Sequence, residues 1–135
     1  MEKQKYAAIV LAAGSGKRMN SKVHKQYLII QDRPVLYYSL KAFEDSAVDE
    51  IVLVVGKGEE EFCRKEIVDK YGISKVKAIV EGGKERYHSV FEGLKQTSDA
   101  DYVLIHDGAR PFVNQEIIRR CMLEVPEYQA CVVGM

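Results

Sequence analysis

The stretch YAAIVLAAGSGKRM (residues 6–19) decides the fold, because a continuous apolar run leads directly into a glycine-rich loop. Residues 6–13 are apolar without alternation, which is typical of a strand that is covered on both faces. Gly14 and Gly16 allow unusual backbone angles and let main-chain N–H groups come close to phosphate oxygens. The stretch therefore predicts a first strand that ends in an anion-binding loop.

The rest of the chain alternates short apolar strands with helical patterns. Further strands are predicted at 50–56, 75–83, 101–110 and from residue 130 onward. Helices are predicted from Pro34, over 59–72, from about Glu85 and after Asn114. This order predicts an α/β, Rossmann-like fold, which is an open, mostly parallel sheet with right-handed crossovers and helices on both faces.

The last two predicted helices have recognisable apolar residues. The helix from Glu85 carries Val90, Phe91 and Leu94, and the helix after Asn114 is expected to direct four residues inward: Ile117, Ile118, Cys121 and Met122. The chain then ends inside an apolar strand. We therefore expect residues 1–135 to belong to a single domain that is truncated at its C-terminus.

Composition excludes several classes of partner. Twenty Lys and Arg balance twenty Asp and Glu, so no global field favours nucleic acid or an anionic membrane. No stretch approaches the roughly 20 apolar residues of a membrane span. Lys3 and Lys5 before the first apolar run resemble the start of a signal peptide, but no clean cleavage region follows. The three cysteines lack metal-type spacing and indicate reduced thiols of a cytoplasmic protein.

Cations follow the glycines of the first loop. The loop lacks the Walker spacing, and Met19 stands where the dinucleotide fingerprint has its third glycine, so a simple tight turn remains an alternative. A loop of phosphate-facing amides needs cations to complete a polyphosphate site, and Arg18 and Lys25 are our candidates. Lys17 and Lys22 are interpreted as solvated surface residues.

A second segment is predicted at the same sheet edge, because ligands of open parallel sheets bind beyond the carboxyl ends of the strands. Gly82 and Gly83 leave the third strand, and Arg86 and Ser89 lie near the start of the next helix. A helix N-terminus suits an anion or the polar edge of a base. A plain turn with Arg86 in a surface ion pair is the alternative.

The third segment is IHDGARPF (105–112), at the end of the fourth predicted strand. Asp107 beside Gly108 is a candidate neighbour of a metal ion, and turn capping is the alternative for this carboxylate. His106 is interpreted as a hydrogen-bonded structural residue rather than a ligand. Arg110 is expected to orient the turn or to contact the ligand.

Four motifs in order resemble the signature of 2-C-methyl-D-erythritol 4-phosphate cytidylyltransferases: LAAGSGKRM (11–19), KQY (25–27), GGKER (82–86) with the following SV and GL, and IHDGARPF. The resemblance implies a nucleotidyltransferase-type fold that transfers CMP from CTP to a sugar-alcohol phosphate in the non-mevalonate isoprenoid pathway. Ribitol 5-phosphate cytidylyltransferases, or a CTP-binding chain without turnover, are the alternatives. A dinucleotide-dependent oxidoreductase is disfavoured by Met19 and by the absence of an acid at the end of the second strand.

The resemblance implies roles only at matching positions. Arg18 and Lys25 match the pair that stabilises the transition state, and Asp107 is implied beside a Mg²⁺ ion that bridges the phosphates. Nucleotide contacts are implied for the glycine-rich loop and for two later turns: Ala12, Ala13, Gly14, Gly16, Gly83, Lys84, Ser89 and Gly108. His24 departs from the Pro that members commonly have before KQ. The resemblance also implies that residues 1–135 are the nucleotide-binding N-terminal part of a single cytidylyltransferase domain. It further implies a homodimer and an acceptor site that lies largely beyond residue 135.

Overall fold

The computed structural model describes residues 5–12, 29–30, 33–83, 85–97, 99–108, 115–128 and 130–133. The elements within these ranges are β1 (Tyr6–Ala12), β2 (Ile29–Ile30), β3 (Arg33–Pro34), α1 (Val35–Glu44), β4 (Glu50–Val55), α2 (Glu60–Cys63) with a π-helical continuation (Arg64–Asp69), β5 (Val76–Glu81), α3 (Arg86–Lys95), β6 (Tyr102–Asp107), α4 (Gln115–Tyr128) and β7 (Ala130–Val133).

Five strands form one parallel sheet in the order β5-β4-β1-β6-β7, and β2 pairs with β3 in a separate antiparallel ribbon. The predicted α/β fold with helices on both faces is therefore confirmed. β4 and β5 are shorter than predicted by one and three residues, and β6 begins one residue later than predicted and gives way to a turn at Gly108. Pro34 ends β3 and precedes α1 rather than lying in the first turn of the helix.

β1 is the central strand and is buried on both faces, as its unbroken apolar sequence predicts. Ala8, Val10 and Ala12 pack in the core cluster that contains residues of α1, α2 and α4. Ile9 and Leu11 pack in the opposite cluster, beneath α3. Because side chains alternate along a strand, this one segment supplies the middle of both apolar layers.

One crossover has the opposite hand to the other three. The chain moves from β1 through β4 to β5 with α1 and α2 on one face, and it returns through β6 to β7 by way of α3 and α4. A constant hand would put α3 and α4 on the same face. Gly93 of α3 lies against Ile9 and Val54, whereas Ile118 of α4 packs with Leu104 in the α1 cluster. The prediction of right-handed crossovers is therefore wrong for at least one connection, since β6–α4–β7 differs in hand from the others.

The exposed apolar residues refine the helix predictions. Ile117 is exposed, so the expectation that it points inward is wrong, whereas the inward positions predicted for Ile118 and Met122 are confirmed by full and partial burial. On α3, Phe91 is 58% exposed and Leu94 is 41% exposed. Gly93, which lies between these two residues in the sequence, faces the sheet and lets α3 approach β1 and β4 closely. The predicted stop at Gly72 is confirmed by its φ of 66°.

Glu44 joins the end of α1 to the start of β5. Its carboxylate accepts hydrogen bonds from the hydroxyl and main-chain N–H of Ser74 and from the N–H of Lys75, the last at 2.8 Å. Burial raises the pKa of Glu44, but the bonds from Ser74 and Lys75 outweigh it, so the pKa lies below the ordinary value. The ionised carboxylate therefore stabilises the fold.

We expect Glu44→Gln to lower the free energy of unfolding by about 1 kcal/mol near pH 7, because charge-assisted bonds become neutral ones. Because the pKa of Glu44 is lower in the folded state than in the unfolded state, the ionised carboxylate stabilises the fold at pH values above the unfolded pKa. This stabilisation is lost as the pH falls through the folded pKa. The difference between wild type and variant in urea unfolding should therefore hold from pH 7 to about pH 5 and narrow as the pH falls below the ordinary glutamate value of 4.5. Glu92→Gln, in an exposed pair with Lys95, is the control and should change stability little. A difference for Glu44 that does not vary with pH would contradict this account.

Candidate functional site

Three loops leave the sheet side by side at its carboxyl edge. Ala12 at the end of β1 pairs with Val55 of β4, and Val55 pairs with Glu81 of β5. On the other side of β1, Leu11 pairs with Asp107 at the end of β6. The chain reverses its direction across the sheet between β1 and β6, which is where open α/β sheets form a ligand crevice. The predicted convergence of the three segments is confirmed for their described residues.

The first loop is described only at its start. Ala12 is buried, with its side chain in the core cluster below the edge, so a ligand there would meet its backbone. The remaining predicted residues of this loop lie outside the described ranges: Ala13, Gly14, Gly16, Arg18 and Lys25.

The turn between β5 and α3 is close-packed. The N–H of Gly82 donates to the carbonyl of Val55 at 2.7 Å. A Cβ at Gly83 would lie 2.2 Å from the Cβ of His88, so this position requires glycine for steric reasons. Ser89 is buried one position after His88, and Lys84 lies outside the described residues. The absence of a side chain at Gly83 therefore lets the His88 side chain pack against this turn at the start of α3.

His88 is a residue of this turn to which sequence analysis assigned no role. The main-chain N–H of Glu85 donates to its Nδ1 at 3.4 Å, and its ring centroid lies 4.2 Å from that of Tyr87. A histidine at the third position of a helix gives no recognisable sequence signal for capping. The close approach of Gly83, three residues before the helix, becomes apparent only in three dimensions.

The end of β6 is held tightly against β1 and α1. The N–H of Gly108 donates to the carbonyl of Leu11 at 2.8 Å. A Cβ at Gly108 would lie 2.8 Å from Leu36 Cδ1 and 3.1 Å from that same carbonyl oxygen. Asp107, immediately before it, is half-buried. The absence of a side chain at Gly108 thus allows Asp107 to lie at the boundary between β1 and β6.

His106 is a structural residue, as predicted. Its side chain is completely buried, its Nε2 lies 3.0 Å from Ser39 Oγ, and its ring packs 5.7 Å from the ring of Phe43. Its partner on α1 could not be identified from the sequence.

An acidic pair lies at the same sheet edge, where β5 ends and α2 begins. A hydrogen bond to Glu81 raises the pKa of Glu60, and burial and the negative charge of Glu81 raise it further.

The donor set fits a magnesium ion only in combination with a substrate. Among the described residues, no group of three or more His, Cys, Asp or Glu could hold a metal on its own. Mg²⁺ is commonly bound by one or two carboxylates together with substrate phosphates and water. Asp107 at the carboxyl edge fits the role of such a single carboxylate.

Membrane association through a spanning helix has no support within the described ranges, where every helix is too short or too polar to cross a bilayer.

The whole site region falls within one protein family. A family profile described as 2-C-methyl-D-erythritol 4-phosphate cytidylyltransferase matches residues 6–135, which include all three loops. The chain belongs to this family. The resemblance of the four motifs is thereby confirmed, and the oxidoreductase interpretation is rejected.

Individual family members agree with this assignment. A 2-C-methyl-D-erythritol 4-phosphate cytidylyltransferase of Lachnoclostridium phytofermentans is 54% identical over 98% of this chain and 57% of its own length. One of Lachnospira eligens is 55% identical over 94% of this chain and 56% of its own length. The crystal structure of 4-diphosphocytidyl-2C-methyl-D-erythritol synthase from Anaerococcus prevotii superposes with a TM-score of 0.74 at 32% identity, covering 90% of this chain and 51% of that one. The chain thus spans little more than half the length of these family members.

Proposed function

We propose that the full-length protein is a cytidylyltransferase that moves CMP from CTP to 2-C-methyl-D-erythritol 4-phosphate and releases pyrophosphate, in the non-mevalonate isoprenoid pathway. The observation that carries this proposal is the strand register, in which Ala12, Gly82 and Asp107 begin or adjoin neighbouring loops at one sheet edge. These loops contain the family motifs, and membership of the family supports the same activity.

The nucleotide is proposed to lie across these three loops. The glycine-rich loop after Ala12 offers main-chain N–H groups to the triphosphate. The backbone of the turn at Gly83 and the N-terminus of α3 suit the cytosine and ribose, because main-chain N–H groups at a helix start can meet an anion or the polar edge of a base. Gly108 provides a second close backbone approach beside Asp107.

The proposed reaction is an in-line displacement at the α-phosphorus of CTP. A phosphate oxygen of the acceptor forms the new P–O bond while the bond from the α-phosphorus to the bridging oxygen of the β-phosphate breaks, and pyrophosphate leaves with the electron pair. The nucleophile is already an anion, so no general base is needed. The barrier comes from bringing negative groups together, and Arg18 and Lys25 are proposed to lower it by stabilising the charge that develops.

Asp107 is the residue that we propose to hold Mg²⁺, together with the phosphates of the nucleotide. When bound, this ion neutralises phosphate charge and makes pyrophosphate a better leaving group. The half-buried position of Asp107 beside the side-chain-free Gly108 supports the assignment.

We further propose a cytoplasmic homodimer that engages neither nucleic acid nor membrane. The balanced charge of the chain supports the last two points, and the family resemblance suggested the dimer. Size-exclusion chromatography of the full-length protein with light scattering should give twice the mass of one chain. A monomer at micromolar concentration would contradict the dimer.

Pyrophosphate release by the full-length protein tests the activity. We expect release only when CTP, Mg²⁺ and 2-C-methyl-D-erythritol 4-phosphate are all present, with UTP, ATP and GTP poor substitutes for CTP. Calorimetry with CTP and Mg²⁺ accompanies the assay. Tight CTP binding without pyrophosphate release would instead indicate a CTP-binding protein without turnover.

A further inference from the structure

A polar pair is buried between α1 and β6 in an otherwise apolar layer. Ser39 and His106 are both 0% exposed, and Ser39 Oγ lies 3.0 Å from His106 Nε2. The pair joins residues that are 67 positions apart in the chain. The residues around it form the main core cluster, including Leu36 and Leu40 of α1 and Leu104 of β6.

The geometry that this hydrogen bond requires matters more than the free energy that it contributes to folding. Two apolar residues of similar size would fill the same space without burying polar atoms, and the net stabilisation from a neutral hydrogen bond is modest. Apolar contacts tolerate sliding, whereas a hydrogen bond requires a particular distance and angle. The Ser39–His106 pair therefore fixes the rotation and height of α1 against the end of β6.

The pair lies directly beside the Asp107–Gly108 turn of the candidate site. His106 directly precedes Asp107, and alternation along the strand turns the two side chains to opposite faces. Two further contacts hold the same turn, since Leu36 of α1 packs against Gly108 and the N–H of Gly108 donates to Leu11. A rotation or slide of α1 would therefore change the packing of Leu36 on the Asp107–Gly108 turn beside the end of β1.

We propose that Ser39 and His106 are positioning residues for nucleotidyl transfer. Their hydrogen bond holds the Asp107–Gly108 turn beside the end of β1, and neither side chain touches the substrate. This inference rests on the proposed function in so far as Asp107 acts at the nucleotide site.

The test compares variants of the full-length protein by kinetics and by binding. Ser39→Ala and His106→Leu remove the bond from either side, and His106→Gln keeps a hydrogen-bonding group near the position of Nε2. We expect the first two to lower kcat about 10-fold with a small change in acceptor KM, and His106→Gln to recover most of that loss. The double variant should lose no more than the worse single variant, because both remove the same bond.

The binding readout is independent of turnover. Calorimetry should show that Ser39→Ala weakens CTP binding in the presence of Mg²⁺ while leaving binding in EDTA nearly unchanged, since Asp107 acts through the ion. Ser46→Ala is the matched control, because it removes a hydroxyl that bonds Phe43 and Val48 at the far end of α1. It should lower the melting temperature without lowering kcat.

Unchanged kcat and Mg²⁺-dependent CTP affinity in Ser39→Ala would overturn the inference, as would losses in Ser46→Ala of the same size. Should Ser39→Ala not fold, Ser39→Cys gives the same comparison, because it keeps the size of the side chain and weakens the bond. A wild-type protein without turnover would contradict the proposed function instead. The Mg²⁺-dependent binding comparison would still decide the role of the pair.

Discussion

Replacing Arg18 or Lys25 with alanine is expected to lower the turnover of the full-length protein by at least ~100-fold, which is roughly 3 kcal/mol of transition-state stabilisation. The attacking phosphate and the triphosphate are both anions. Negative charge builds on the oxygens around the α-phosphorus as one P–O bond forms and the other breaks. Cations that meet this charge stabilise the transition state more than the ground state, so their removal should lower kcat more than it raises KM for CTP.

The control for this prediction is in the same loop. Lys17→Ala removes a neighbouring cation that we interpret as a solvated surface residue, and it should leave kcat nearly unchanged. Rates are measured by pyrophosphate release at saturating CTP and acceptor. Near-full rates for both Arg18→Ala and Lys25→Ala would contradict their assignment, and a large loss for Lys17→Ala would mean that Lys17 is the functional cation.

The largest expected effect on stability is that of Phe43→Ala, at about 3 to 5 kcal/mol. Phe43 is completely buried in the core cluster, and its ring packs against His106 between α1 and β6. Truncation removes apolar contacts and leaves a cavity that the surrounding helix and strands can fill only in part. Because domains are stable by only about 5 to 15 kcal/mol, the variant should melt at least roughly 10 °C lower.

Phe91→Ala is the matched control for Phe43→Ala, since it makes the same chemical change at an exposed position. Phe91 contacts Lys95, whose ammonium lies 4.8 Å from the ring centroid. Loss of this exposed cation–π contact should cost less than about 1 kcal/mol. Urea unfolding of both variants measures the difference. Equal losses would mean that the structure misplaces the buried face of α1 or the exposed face of α3.

The sequence predicts the strands of this fold well because their signal is local. The unbroken apolar run at the start of β1 and the β-branched run of β4 identify strands covered on both faces. The hand of the β6–α4–β7 unit has no such local signal. The sequence places Ile117, Ile118 and Met122 on one broad apolar stripe, and only packing against α1 and β6 decides which part of the stripe is buried.

The loops of the candidate site could be predicted from the sequence, but the tertiary contacts that hold those loops in place could not. Glycines after strands and an aspartate before a glycine mark positions where a backbone can approach a ligand, and the described loops do meet at one edge. Contacts between residues distant in the sequence explain further positions that motif spacing does not. Gly83 makes room for His88, Gly108 makes room for Leu36, and Ser39 meets His106 across 67 residues.

Product identification by phosphorus NMR tests the central claim most directly. The full-length protein is incubated with CTP and Mg²⁺ and with either 2-C-methyl-D-erythritol 4-phosphate or ribitol 5-phosphate as the acceptor. We predict that the methylerythritol acceptor yields a cytidine diphosphate diester, with two coupled phosphorus signals, in equal amount to pyrophosphate. The ribitol acceptor should react far more slowly. Faster transfer to ribitol 5-phosphate, or no diester from either acceptor, would contradict the assignment.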